Sequence, residues 1–88
     1  MNQFTIIMNF RGGIYVSQVY ASGIHNAIYE WAKNIDINEV KYIGRSCKIE
    51  LIKLMREEEP ILLSGMDSVW CISGSLKTGH FIANVVMS

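Results

Sequence analysis

Phe4-Thr5-Ile6-Ile7-Met8-Asn9-Phe10-Arg11-Gly12-Gly13-Ile14-Tyr15-Val16-Ser17-Gln18-Val19-Tyr20 is the stretch that sets the fold. Phe4, Ile6, Met8 and Phe10 alternate with Thr5, Ile7 and Asn9, the period of a half-buried strand. A second β-rich run starts at Ile14. Two alternating runs around a glycine-containing loop read as a hairpin. Taking Arg11-Gly12-Gly13 as a three-residue loop sets Phe10 opposite Ile14. Phe4, Ile6, Met8, Phe10, Ile14, Val16 and Tyr20 then share one face.

Downstream the period changes to that of a helix. Ser22 is the expected N-cap. Ile24, Ala27, Ile28, Trp31, Ala32 and Ile35 form one apolar stripe, with His25, Asn26, Tyr29, Glu30 and Lys33 opposite. A turn around Glu39 to Ile43 closes at Gly44. Ser46 is the expected cap of a second helix, in which Cys47, Leu51, Leu54 and Met55 share a face, with Ile52 at its edge. Pro60 stops this helix. Glu57, Glu58 and Glu59 oppose the macrodipole at its C-terminal end, so fraying is expected after Arg56.

Three β-like runs follow, Ile61 to Ser64, Val69 to Leu76 and Phe81 to Met87, with turns at Gly65-Met66-Asp67-Ser68 and Lys77-Thr78-Gly79-His80. The order ββααβββ predicts a two-layer α+β fold: an antiparallel sheet of about five strands with two helices packed on one face. Residues 1–88 are expected to form a single α+β domain, because 88 residues leave no room for two cores.

Composition narrows the function classes. Half of the residues are apolar, 18% are charged, and eight basic residues balance eight acidic ones. That apolar fraction excludes a disordered chain. Zero net charge and a pI near 6.7 argue against a nucleic-acid partner. No apolar run approaches the roughly 20 residues of a membrane helix, so no membrane partner is expected. The start, Met1 to Thr5, lacks a signal-peptide pattern, and Asn2 and the closing Val86-Met87-Ser88 lack lipidation signals. Cys47 and Cys71 form no CxxC pattern and suit reduced thiols in the cytoplasm.

Distribution says more than composition. Pairing Leu76 with Phe81 puts Trp70, Ile72, Leu76, Phe81, Ala83 and Val85 beneath the helices. The opposite face then carries Thr5, Ile7, Asn9, Tyr15, Ser17, Val19, Val69, Cys71, Ser73, Ser75, Ile82, Asn84 and Val86, without one Lys, Arg, Asp or Glu. Water-facing strands commonly carry charge against association, and large uncharged patches mark interfaces. The expectation is a protein-interaction module that forms a homodimer, or binds one protein partner, through this face. Ile7, Tyr15, Ile82 and Val86 are its apolar anchors, Ser73 and Asn84 its hydrogen-bonding groups, and Cys71 its exposed thiol.

Chemical motifs are sparse. Cys47 lies beside Arg45 and Lys48, yet it begins an apolar stripe, so burial is the expected role. His25 and His80 have no metal ligands at suitable spacing, and three consecutive glutamates point in different directions. No metal or cofactor is expected. Gly12-Gly13 joins strand to strand and lacks the helix N-terminus of a phosphate cradle. Ser73-Gly74-Ser75 lies within a strand, where glycine marks a bulge or close packing. Lys41, Arg45, Lys48, Lys53 and Arg56 interleave with Glu39, Glu50 and Glu57 as a mixed solvated surface. No acid–base pair is assembled in sequence, so an enzyme is not expected.

Two other functions remain open. Small size and the lack of chemistry fit an immunity or antitoxin-type protein that neutralises a partner enzyme. Alternatively, Trp31, Trp70, Tyr42 and Cys47 could line a small-molecule or catalytic pocket between helices and sheet. The hairpin through Tyr15-Val16-Ser17 with a helix from near Ile24 is similar in outline to HicB-type antitoxins. That likeness covers the chain to about Ile35; the second helix and three-strand end depart from it, and no residue roles are carried over.

Overall fold

In the computed structural model, which describes residues 1–63 and 65–88, alternation and helical period place the elements where the sequence predicts them. Strands β1 (Asn2–Phe10) and β2 (Gly13–Ala21) precede helices α1 (Ile24–Asn34) and α2 (Arg45–Glu57). Strands β3 (Ile61–Leu62), β4 (Val69–Leu76) and β5 (Gly79–Met87) complete the chain. Among the described residues they form one antiparallel sheet in the order β2-β1-β5-β4-β3. The fold is two-layer α+β, with both helices against one sheet face. Ser64, expected at the end of the third β run, lies outside the described residues.

The first hairpin corrects the expected register. Its loop has two residues, Arg11 and Gly12, and Phe10 pairs with Gly13. Both loop residues have positive φ, +48° and +83°, as the twist-matching primed turns require. Arg11 tolerates this strained region while its guanidinium donates to the Thr78 carbonyl at 2.6 Å and stacks 4.1 Å from the Tyr42 ring centre. Gly13 is therefore a strand residue. A Cβ there would lie 2.7 Å from the Tyr15 hydroxyl, so the missing side chain gives the Tyr15 ring its space. Because the side-chain period is two, this one-residue shift turns all of β2 over. Tyr15, Ser17 and Val19, expected on the open face, lie on the helix side, while Ile14, Val16 and Tyr20 take their places.

The second hairpin is also tighter than expected, with Leu76 opposite Gly79 and Gly74 opposite Phe81. That shift is two residues, so the faces of β4 and β5 are unchanged.

The helices start on residues other than the expected serines. Gly23 and Gly44 are the N-caps, and neither helix start has a side-chain cap. The chain is extended at both glycines, and their carbonyls accept from Ala27 and Lys48 at 2.9 and 3.0 Å. Ser22 instead accepts from the Asn26 amide at 2.6 Å, and Ser46 sits exposed inside the first turn of α2. α2 ends at Glu57, one residue past the expected point, and Glu58 N–H still reaches the Leu54 carbonyl at 2.9 Å.

Packing follows the apolar stripes. Ala27, Ile28, Trp31 and Ala32 of α1 and Cys47, Leu51 and Met55 of α2 are buried over Phe4, Ile6, Met8, Phe10, Phe81 and Val85. Ile43 from the interhelical connection joins them. No polar or charged residue is buried among the described residues. Trp31 meets Phe81 with ring centres 6.3 Å apart, and Phe4 meets Trp70 at 6.1 Å. Gly74 lets α2 approach: a Cβ there would stand 2.5 Å from Leu54 Cδ2 and 3.0 Å from Phe81 Cε1. On the outer helix surface Arg56 donates to the Tyr29 hydroxyl at 2.8 Å, and this bond holds the Tyr29 pKa below that of a free phenol.

Candidate interface on the open sheet face

Register fixes what the uncovered face presents. Its central row runs across all five strands as Val16, Ile7, Asn84, Cys71 and Ile61. A neighbouring row is Ile14, Asn9, Ile82 and Ser73, and the next is Gln18, Thr5, Val86 and Val69. Tyr20 and Gln3 pair at one end, Ser75 and His80 at the other. None of these residues is Lys, Arg, Asp or Glu; the charged residues lie in α1, α2, the turns and the loops.

Much of this surface is apolar and open. Ile14, Val16 and Tyr20 are each about two-thirds exposed, at 68%, 64% and 65%, and Ile82 is 50% exposed. Ile61 is exposed at the β3 edge. Several polar groups satisfy one another. Gln18 donates to Thr5 Oγ1 at 3.2 Å, Gln3 to the Tyr20 hydroxyl at 3.3 Å, and Ser75 Oγ lies 2.9 Å from His80 Nδ1. Such pairing lowers the cost of covering those groups with another apolar surface.

Of the residues expected at an interface, Ile7, Cys71, Ser73, Ile82, Asn84 and Val86 lie on this face. Tyr15 does not: the two-residue turn places it on the helix side, partly buried against the core. Sequence reasoning missed Ile14, Val16, Gln18 and Tyr20. The signal was the double glycine, since starting the strand at Gly13 gives their placement directly. Ile61 joins through its pairing with Cys71.

The residues weighed for chemistry are scattered. Cys47 is buried, with Sγ 3.5 Å from Thr78 Oγ1, which in turn donates to the Tyr42 carbonyl at 2.7 Å. Trp31 borders a groove beside β2, but Trp70, Tyr42 and Cys47 do not line it. His25 Nε2 lies 2.9 Å from a Glu59 carboxylate oxygen, an exposed contact between helix start and helix exit. Among the described residues no three His, Cys, Asp or Glu side chains converge as metal ligands. Among them, too, no helix is long and apolar enough to cross a membrane. Comparison with protein families, curated proteins and solved structures finds no match to this chain.

Proposed function

We propose that this chain is a non-catalytic protein-interaction module of the cytoplasm that self-associates through the open face of its sheet. The observation that carries this reading is a five-strand surface without a charged side chain, on which Ile14, Val16, Tyr20, Ile61 and Ile82 are exposed. Monomers avoid contiguous apolar patches beyond a few hundred Å². Two unpaired cysteines suit a reducing compartment.

Area supports a second copy as the occupant. The five strands hold 37 residues in all, and at about 3.4 Å per residue and about 4.8 Å between strands they give about 600 Å² per copy. Two copies bury about 1,200 Å², at the lower end of the range of stable, specific interfaces. An uncharged face also suits another uncharged face, and sheets stack about 10 Å apart at a modest crossing angle. Ile7, Ile82 and Val86 supply central contact, with Ser73 and Asn84 as hydrogen-bonding partners. Capping an enzyme, as an immunity or antitoxin-type protein does, uses the same face with a different occupant.

Sedimentation equilibrium between about 1 and 300 μM tests the choice, a range set by micromolar self-association. The expected mass at the upper end is twice 10.0 kDa. A mass of 10.0 kDa throughout overturns self-association.

A further inference from the structure

We infer that the free edge of β2 is a separate binding surface, which takes an extended peptide segment bearing basic side chains as an added strand. This inference does not depend on what covers the open face. β2 is an edge strand of nine residues, Gly-Ile-Tyr-Val-Ser-Gln-Val-Tyr-Ala, paired with β1 in unbroken register. Natural edges are blunted by shortness, charge, proline or a bulge. β2 has none of these, whereas the opposite edge strand, β3, has two residues.

The unpaired backbone groups can be assigned. Ser88 N–H donates to the Gln3 carbonyl at 2.9 Å, on the β5 side of β1. Antiparallel bonding alternates, so the even-numbered residues of β1 face β2. Ile14, Val16, Gln18 and Tyr20 therefore turn their N–H and C=O groups outward. No main-chain bond among the described residues reaches them.

Beside this edge lies a groove of about 430 Å³. Six consecutive residues, Ile14 to Val19, border it. Successive side chains point to opposite faces, so only a groove running along the strand's own edge can touch all six. Met8, Tyr15, Trp31 and Val40 give it apolar walls, and Asp36 and Glu39 are its charged lining residues. Asp36 is held in place by accepting from Asn38 N–H at 2.9 Å.

The occupant follows from these groups. An added strand takes the edge hydrogen bonds and sends alternate side chains into the groove. Apolar side chains meet Tyr15 and Trp31, while Lys or Arg meets the two carboxylates. A second copy of β2 brings no charge to the edge and leaves Asp36 and Glu39 unmatched.

The test is a ¹⁵N-resolved titration of the full chain with a capped ten-residue peptide of repeating Val-Thr-Lys-Thr, which sets valine and lysine in turn on one face of the added strand and threonine on the other. Saturable shifts are expected at the amides of Ile14, Val16, Gln18 and Tyr20. Replacing lysine by glutamate weakens binding at least about tenfold, and N-methylating alternate peptide residues abolishes it. D36N together with E39Q lowers affinity for the lysine peptide about fivefold, as exposed ion pairs allow. Absence of edge shifts up to about 1 mM peptide, or equal binding of the glutamate peptide, overturns the proposal. Intermolecular amide–amide contacts between the β2 strands of two copies, which face-to-face stacking about 10 Å apart does not give, identify a second copy as the occupant of the edge and also overturn it.

Discussion

Phe81→Ala is expected to destabilise the fold by about 4–5 kcal/mol, near the upper end for a buried phenylalanine. Phe81 is 1% exposed and lies between Phe10 and Gly74 on its neighbouring strands, with Trp31 above it. Cavity cost depends on whether the surroundings can collapse. Gly74 has no side chain to move in, and Trp31 is held in the stripe of α1. A chain of 88 residues has about 4–13 kcal/mol in all at typical stability per residue. Urea unfolding followed by circular dichroism should show the free energy of unfolding lowered by that amount, as a lower midpoint at unchanged slope. A cost below about 2 kcal/mol would contradict the packing described for this corner.

Ile82→Asp is expected to weaken self-association at least about thirtyfold while leaving the fold intact. Ile82 lies on β5, between β1 and β4, and is half exposed, so the folded monomer loses little packing. Strand propensity limits the monomer's loss to about 1 kcal/mol. In a face-to-face dimer each copy buries one new carboxylate with no cation opposite. Desolvation and like-charge repulsion together cost more than about 2 kcal/mol, which gives the thirtyfold change. Ile82→Thr supplies the control, since it keeps a strand-forming, uncharged side chain. Light scattering should show Ile82→Asp as a monomer where wild type and Ile82→Thr are dimers. An unchanged mass for Ile82→Asp would remove the face from the interface.

The helices were legible because their burial follows a repeating period. Ile24 through Ile35 repeats often enough that one displaced residue leaves the stripe intact. Strand faces have no such redundancy. Gly12 and Gly13 admit both a three-residue and a two-residue loop, and choosing between them decides where Tyr15 and Val16 point. The choice rests on Arg11 being held in a left-handed conformation by Thr78 and Tyr42, which are 67 and 31 positions away in sequence. Local pattern does not contain that contact. The packing of β1 against β5 is equally non-local.

The uncharged face survived the register error for a simple reason. No residue of β2 is charged, so turning the strand over exchanges one neutral set for another. The exchange even raises the apolar content, since Ile14 and Val16 replace Ser17 and Val19. Conversely, the groove beside β2 was invisible in sequence. It needs Asp36 and Glu39 from the interhelical connection to stand beside the strand edge, a tertiary arrangement with no periodic signature.

The most direct test of the central claim is an isotope-filtered NOE experiment on a sample mixed from labelled and unlabelled chains, which reports only contacts between copies. The expected result is a set of intermolecular contacts among the methyl groups of Ile7, Val16, Ile82 and Val86. Intermolecular contacts arising instead from the exposed helix residues, or none at concentrations where the chain is associated, would contradict it.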